Sequence, residues 1–269
     1  MITNDIIYDF LMDGIRGELS LFYSKKYKHI PNRLFRFEKF SNARLDTLKQ
    51  NQIRMTEAER FNDPFDCLGI FWDSATLTEF SKTQGLSYIG ESLDKEIDKM
   101  FREALTPLKV TCFSSELYNL PLWGNYAESG SGFAVEYDFK QLGVNSDFTK
   151  LLYPVIYREE REDITGVLKK LIEVASNGQF HPLLRLLFYK NLIKHISWAY
   201  EKEWRLIFIE KESFIKMPIK PTAIYITDRC DGENEKLLKE IALSLECDFY
   251  KLVPTKNNRN FIFEESLAK

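Results

Sequence analysis

The stretch SWAYEKEWRLIFI at 197–209 decides the expected fold, because it is predicted to be a buried β-strand that carries charged residues. Successive side chains of a β-strand point to opposite faces with a period of two. Glu201 and Glu203 stand two positions apart, so a strand through them would place both carboxylates on one face. Charged groups in an apolar strand are costly unless they are paired or face a cleft. The stretch therefore predicts a strand whose charged face is ion-paired or functional.

Two other predicted strands carry polar residues in similar settings. The segment NRLFRFEKF at 32–40 alternates, and it places Arg36 on the face opposite Phe35 and Phe37. The segment KVTCFSS at 109–115 is apolar and ends in Ser114 and Ser115. Three separate strands thus each offer a polar side chain that a shared cleft could use.

The remaining pattern predicts an α+β protein with split, mostly antiparallel sheets and helical insertions, like the fold of ADP-ribosyltransferases. Residues 1–31 form a predicted helical extension, with an apolar stripe and a solvated basic face, and 32–269 form a single α+β domain. The stripe contains Ile6, Ile7, Phe10 and Leu11, and the basic face contains Lys25, Lys26 and Lys28. Further strands are predicted at 52–55, 132–138, 151–157, 222–227 and 249–253, and helices at 76–105, 163–196 (broken near Gly178 and Pro182) and 233–246.

Composition excludes several classes of protein. The 269 residues carry 37 basic and 40 acidic side chains, a formal charge of −3, which is not that of a strongly basic nucleic-acid coat. No stretch approaches the roughly 20 apolar residues of a membrane span, and the polar, acidic N-terminus does not resemble a secretory signal. We therefore expect a cytoplasmic protein that has no membrane partner.

Common catalytic motifs are missing from the sequence. It contains no GxxxxGK[ST], no GxGxxG after a strand, no GxSxG and no HExxH. The three histidines are not spaced as metal ligands, and the four scattered cysteines fit reduced thiols better than a disulfide framework. A zinc enzyme or a histidine-based hydrolase is therefore a poor match, and we predict no resident metal.

The order Arg, Ser, Glu-x-Glu on successive strands resembles the Arg–Ser–Glu class of ADP-ribosyltransferases. The matching pieces are Leu34-Phe35-Arg36, Phe113-Ser114-Ser115 and Glu201-Lys202-Glu203. This resemblance implies an enzyme that uses NAD as its substrate and modifies a macromolecule, either a protein or a nucleic acid. It also implies a bacterial toxin or an anti-phage defence effector, with an antitoxin or a chaperone as a further partner.

The resemblance assigns a role to each candidate residue. Glu203 would bind the ribose hydroxyls and stabilise the oxocarbenium-like state, and Glu201 would steer or deprotonate the acceptor. Ser114 would orient the ribose or the Glu203 carboxylate. The residues expected to bind NAD are Arg36 at the diphosphate, Tyr126 and Trp123 as stacking partners of nicotinamide, and Phe35 and Asn62 in the pocket wall.

The chain also resembles a bacterial family known only as a domain of unknown function. The resemblance rests on LFRF at 34–37, FNDPFD at 61–66, TCFS at 111–114, LWGNYAESGSGFAVEYD at 122–138 and WAYEKEWRL at 198–206, and it spans about 32–228. The family commonly has a Gly-rich turn after the late IYI strand, where this chain has Thr227-Asp228-Arg229-Cys230.

Two other functions fit the same residues. A metal-dependent nuclease would need clustered carboxylates such as Asp63, Asp66 and Glu203, although the FNDPFD segment also fits a rigid turn. A non-enzymatic sensor or interaction module would use the polar residues as a structural ion-pair network. Arg205 lies on the same strand face as Glu203 and would neutralise it in that case.

Overall fold

A computed structural model of the chain describes residues 19–57, 60–85, 93–99, 108–175, 189–209 and 212–267. The N-terminal apolar stripe and the predicted helix break at Gly178 and Pro182 lie outside these ranges. Within them the fold is mixed α/β with a mostly antiparallel sheet, which confirms the predicted class.

Seven α-helices with defined bounds surround the sheet in the described ranges. They are α1 (Leu19–His29), α2 (Asn42–Lys49), α3 (Ser74–Thr83), α4 (Leu120–Tyr126), α5 (Asp147–Lys150), α6 (Thr165–Ala175) and α7 (Gly232–Leu245). Residues 93–99 are also helical. Helix α7 begins after Asp231, whose side chain caps the Asn234 N–H, so the predicted helix at 233–246 is confirmed. No helix among the described residues is both long and apolar enough to span a membrane.

Nine strands form the main sheet, in the order β15-β14-β13-β6-β1-β5-β11-β7, with β3 also paired to β5. The pairing of β13 with β14 is parallel and the other pairings in this sheet are antiparallel. Its strands are β1 (Leu34–Glu38), β3 (Thr56–Glu57), β5 (Leu108–Ser114), β6 (Phe133–Tyr137), β7 (Leu152–Pro154), β11 (Glu203–Ile209), β13 (Ala223–Thr227), β14 (Asp248–Pro254) and β15 (Phe263–Leu267). The other strands, β2 (Gln52–Arg54), β4 (Ile70–Phe71), β8 (Ile156–Arg158), β9 (Glu162–Asp163), β10 (Ile193–His195) and β12 (Phe214–Lys216), form three two-stranded pairs.

The two faces of the main sheet pack against different helices. On one face, Leu34, Val135 and Ile224 join a core that includes buried residues of α2 and α7. On the other face, Phe35 packs with Trp123 of α4, while Val110 belongs to a separate core that contains residues of α3 and α6. This second face holds the candidate site, because the side chains of Ser114 and Glu203 lie on it.

The predicted strand at 197–209 is only partly correct. Residues Ile196–Glu201 form a 3-10 helix, Lys202 adopts a left-handed conformation with φ 47° and ψ 47°, and the strand begins at Glu203. Glu201 and Glu203 therefore do not share a strand face. They approach each other because the chain turns at Lys202, and this turn also brings the end of the 3-10 helix towards β5.

Three further predictions differ from the structure. Strand β10 runs through 193–195, where the sequence predicted a helix, and it pairs with β8. The predicted strand at 151–157 is two strands, since β7 joins the main sheet while β8 leaves it. The strand predicted at 249–253 is the last one that the sequence predicts, but β15 follows β14 and pairs with it at the edge of the sheet.

The predicted basic face of the N-terminal extension is wrong at one position. Lys25 and Lys28 are exposed, but Lys26 is only 2% exposed. The Lys26 Nζ donates to the carbonyl oxygens of Thr149, Lys150 and Leu152 at 2.6–2.8 Å, and it lies 4.1 Å from the centre of the Tyr153 ring. Burial lowers the pKa of this lysine well below its usual value. Lys26 thus attaches α1 to the C-terminal end of α5.

Candidate functional site

A cleft of about 530 Å³ opens where β1 and β5 separate. The two strands pair at Phe35 and Ser114, and further along β5 it is β3 that pairs, at Val110 and Lys109. The edge of β5 between these two pairings is left open towards β1. Ligand pockets commonly have volumes of about 300–1,000 Å³, so this cleft is large enough for a nucleotide-sized ligand.

Most of the predicted site residues line this one cleft. The structure brings together residues from β1, the turn after β3, β5, α4 and the start of β11. They are Phe35, Arg36, Asn62, Ser114, Tyr126, Glu201 and Glu203.

Trp123 is the exception among the predicted residues. It is 3% exposed, its indole Nε1 donates to the Leu117 carbonyl at 2.8 Å, and its ring packs edge-on against Phe37. The prediction that Trp123 stacks on nicotinamide is therefore wrong. Its indole N–H and its ring are already engaged inside the protein, and its role is to hold α4 on the sheet.

Arg36 reaches the cleft from the opposite face of the sheet. The register aligns Phe35, Ser114 and Glu203, so these three side chains share one face, and Arg36 points the other way. The Arg36 guanidinium enters the gap between the strands, where Nη1 donates to the Thr111 hydroxyl and, at 3.4 Å, to the Cys112 carbonyl. Its Nε binds Glu38 at 2.6 Å. Arg36 thus forms the wall of the cleft at the gap.

Glu203 is held by Arg205, as the ion-pair alternative anticipated. Arg205 Nε lies 2.7 Å from Glu203 Oε1, and its Nη2 lies 3.2 Å from Oε2. The same guanidinium binds Asp66 through two contacts of 2.8 Å, and it is fully buried. Burial acts to raise the pKa of Glu203, but the charges of Arg205 and Lys194 outweigh it and lower the pKa to about 2. Glu203 is therefore a fixed, ionised carboxylate.

Glu201 has different partners. The Tyr126 hydroxyl donates to its Oε1 at 2.7 Å, and Lys194 Nζ lies 2.7 Å from its Oε2. Burial and the negative charge of Glu203 raise the pKa of Glu201 in spite of Lys194. Glu201 belongs to an ion-pair network in which three carboxylates, of Asp66, Glu201 and Glu203, face two cations, Lys194 and Arg205. Because negative charge is in excess, Glu201, whose pKa is raised, is the carboxylate least neutralised.

Ser114 positions the backbone of Glu201. Its hydroxyl donates to the Glu201 carbonyl at 2.6 Å and accepts from the Glu116 N–H at 3.0 Å. The predicted contact of Ser114 with the Glu203 carboxylate is not what the structure shows. The hydroxyl instead fixes the end of the 3-10 helix, which determines where the Glu201 side chain meets the cleft.

Sequence reasoning missed Lys194, which is central to the network. Its Nζ contacts Glu201 at 2.7 Å, Glu203 at 3.1 Å and Asp66 at 3.6 Å. The sequence predicts a helix over this segment, and a helix gives no reason to place this lysine beside β11. Residues 192–196 (LIKHI) do not alternate with a period of two, so the pattern offers no signal for the short strand β10.

The carboxylates proposed for a nuclease metal site are otherwise engaged. Asp63 accepts from the Phe65 N–H at 2.9 Å and so fixes the FNDPFD turn, while Asp66 and Glu203 both bind Arg205. The part of the chain that the structure describes contains no group of three or more His, Cys, Asp or Glu side chains arranged to hold a metal ion. The ligand set that this alternative required is therefore not formed by these three residues.

The fold and site define a mixed α/β protein with a charged cleft at a gap in its main sheet. Residues 122–206 match the family model described as "Protein of unknown function (DUF2971)". The matched segment includes Tyr126, Lys194, Glu201, Glu203 and Arg205, and the wider resemblance predicted over 32–228 is supported over this segment. The comparison with curated proteins gave no match, and neither did the comparison with solved structures.

Proposed function

We propose that the cleft binds NAD and that the protein transfers ADP-ribose from it to a macromolecular acceptor. The observation that carries this proposal is the meeting of Arg36 with the carboxylate pair Glu201 and Glu203 on one cleft, although they come from separate strands and loops. A dinucleotide needs cationic groups for its diphosphate and polar groups for its ribose, and the cleft offers both.

The cationic part of the cleft suits a diphosphate. Arg36, Lys39, Arg44 and Arg60 all line it, and guanidinium groups bind phosphate oxygens through paired hydrogen bonds. Phe61 and Tyr126 supply aromatic surface in the same cleft. In this proposal the diphosphate binds at Arg36, and the nicotinamide ribose lies towards Glu201.

The chemistry requires a carboxylate beside the anomeric carbon. When the bond from ribose C1′ to nicotinamide breaks, the electron pair leaves with nicotinamide and positive charge develops on the ribose. A nearby carboxylate stabilises that charge. The nucleophile of the acceptor then bonds to C1′, and its proton passes to a base.

We assign that carboxylate and base to Glu201. The two oxygens of Glu203 are bound by Arg205, so its charge is largely offset and its position fixed. Burial and the charge of Glu203 raise the pKa of Glu201, which is the direction that suits a general base, and Tyr126 orients the carboxylate. This proposal differs from the sequence-based assignment of the catalytic carboxylate to Glu203. Glu203 becomes a positioning residue that holds Lys194, and Glu201 takes the place beside the reacting ribose.

The acceptor in this proposal is a protein or a nucleic acid, and the biological role is that of a bacterial toxin or anti-phage effector. A net charge of −3 gives no electrostatic preference for nucleic acid. An effector that consumes or transfers ADP-ribose inside its own cell would need an antitoxin or a chaperone to restrain it.

Replacing Arg36 with Gln tests the binding part of the proposal. We expect the Kd for NAD, measured by calorimetry on the full chain, to rise about tenfold or more, because charge-assisted hydrogen bonds to the diphosphate are lost. Arg33→Gln is the matched control, since Arg33 pairs with Glu136 and does not line the cleft. Equal NAD affinity in the wild type and the Arg36 variant would show that the diphosphate does not bind at Arg36.

A second candidate function is a non-enzymatic module whose cleft binds a ligand without turning it over. The contacts of Arg205 with Glu203 and Asp66 favour it, because they engage much of the charged cluster in ion pairs inside the protein. The two functions differ in turnover. An enzyme releases nicotinamide and requires the Glu201 carboxylate to do so, whereas a binding module binds its ligand and releases no product.

A further inference from the structure

A second, smaller cavity of about 80 Å³ lies beside the cleft. It is formed between α2 and strands β1, β2, β6 and β12, on the face of β1 that carries Arg36. Arg36 and Arg44 line both the cavity and the cleft, so the two spaces adjoin across these side chains. Arg54 of β2 lines the small cavity but not the cleft.

Positive charge exceeds negative charge in this cavity. Glu38 is the carboxylate that lines it, and it binds Arg36 Nε at 2.6 Å and also pairs with Arg44. Arg54 is exposed and forms no ion pair with any residue in the described ranges. Burial, together with the charges of Arg36 and Arg54, lowers the pKa of Arg44 to about 10. The cavity thus holds three guanidinium groups and one carboxylate, which pairs with two of them, and this excess of positive charge favours the entry of an anion.

The uncharged polar groups and the size of the cavity suit a small anion. Ser41, Thr47 and Gln52 also line it, and Ser41 caps the N-terminus of α2 through the Arg44 N–H at 3.3 Å. The N-terminal end of a helix adds partial positive charge. A cavity of about 80 Å³ admits a phosphate group, whereas the base and ribose of a nucleotide would need the larger cleft.

We propose that this cavity is a phosphate-binding subsite, formed by Arg36, Arg44 and Arg54, that extends the cleft. The subsite takes a phosphomonoester, and so the cleft prefers a dinucleotide with an additional phosphate on ribose, NADP, over NAD. The preference for NADP rests on the proposed function. The phosphate site itself stands on the arginine cluster and does not depend on NAD.

Inorganic phosphate is the first probe, titrated into the full chain at constant ionic strength and followed by calorimetry. We expect Arg54→Gln to weaken phosphate binding about tenfold, since one charge-assisted contact is lost. Arg33→Gln is the matched control, because Arg33 lines neither the cavity nor the cleft, and it should leave phosphate binding unchanged. Phosphate affinity that is the same in the wild type and the Arg54 variant would overturn the subsite.

Titrations with NAD and NADP separate this inference from the proposed function. The wild type should bind NADP about tenfold more tightly than NAD, and Arg54→Gln should remove most of that difference while leaving NAD affinity unchanged. Arg54-dependent phosphate binding with neither dinucleotide bound would support the subsite and overturn the proposed function. Equal affinity of the wild type for NAD and NADP would overturn the preference for the additional phosphate.

Discussion

Replacing Glu201 with Gln is expected to lower the rate of nicotinamide release from NAD at least about a hundredfold. The substitution removes the carboxylate that we place beside the ribose, and it keeps the size of the side chain. The Tyr126 hydroxyl and Lys194 Nζ, each 2.7 Å from this carboxylate, retain a polar neighbour. The measurement is single-turnover release of nicotinamide by the full chain at saturating NAD.

The same variant is expected to keep or increase its free energy of unfolding. Removing Glu201 leaves two carboxylates and two cations in the network, so the buried charges balance. Because folding raises the pKa of Glu201 above its usual 4.5, the wild type should lose stability as pH rises from about 4.5 through that raised pKa. The variant should lack this loss. Unchanged nicotinamide release in a folded variant would remove Glu201 from the reaction, and a wild type that binds NAD without releasing nicotinamide would favour the binding module.

Replacing Arg205 with Met is expected to lower the free energy of unfolding by about 4 kcal/mol, as breaking a buried ion pair from one side does. The guanidinium is 0% exposed and binds Glu203, Asp66 and the Asn191 carbonyl. Without it, three buried carboxylates would share Lys194 as their cation. Urea unfolding, followed by circular dichroism, measures the change.

Two other variants make that result specific. Lys220→Met removes one partner of an exposed ion pair with Glu246 and should leave the unfolding free energy unchanged. Adding Asp66→Asn and Glu203→Gln to Arg205→Met removes the uncompensated charges, so the triple variant should recover much of the lost stability. A small loss in the single variant, or no recovery in the triple variant, would show that the network does not stabilise the fold in this way.

The strands with simple alternation could be predicted from the sequence. Strand β1 shows its two faces directly, with Phe35 buried in one core and Leu34 in another, and β13 lies where an apolar run predicted it. These predictions succeed because a half-buried strand imposes its period of two on the sequence. The approach of Arg36, Ser114 and Glu203 to one cleft was expected from the resemblance to ADP-ribosyltransferases and not from the alternation of any one strand.

The turn at Lys202 could not be predicted in the same way. The segment AYEKEW contains no Gly, Asn or Pro, and the residue types that usually adopt a left-handed conformation are Gly and Asn, not Lys. The tertiary contacts that favour it, such as Ser114 donating to the Glu201 carbonyl, join residues 87 positions apart. For the same reason the roles of Glu201 and Glu203 could be assigned only once Lys194 and Arg205 were placed around them.

The most direct test of NAD binding in this cleft is a crystal structure of the Glu201→Gln variant soaked with NAD. We expect intact dinucleotide with its diphosphate bound to Arg36 and with ribose C1′ within about 4 Å of the side chain at position 201, near the separation of reacting atoms. NAD bound at another surface, or a cleft that stays without NAD at saturating concentration, would contradict the account.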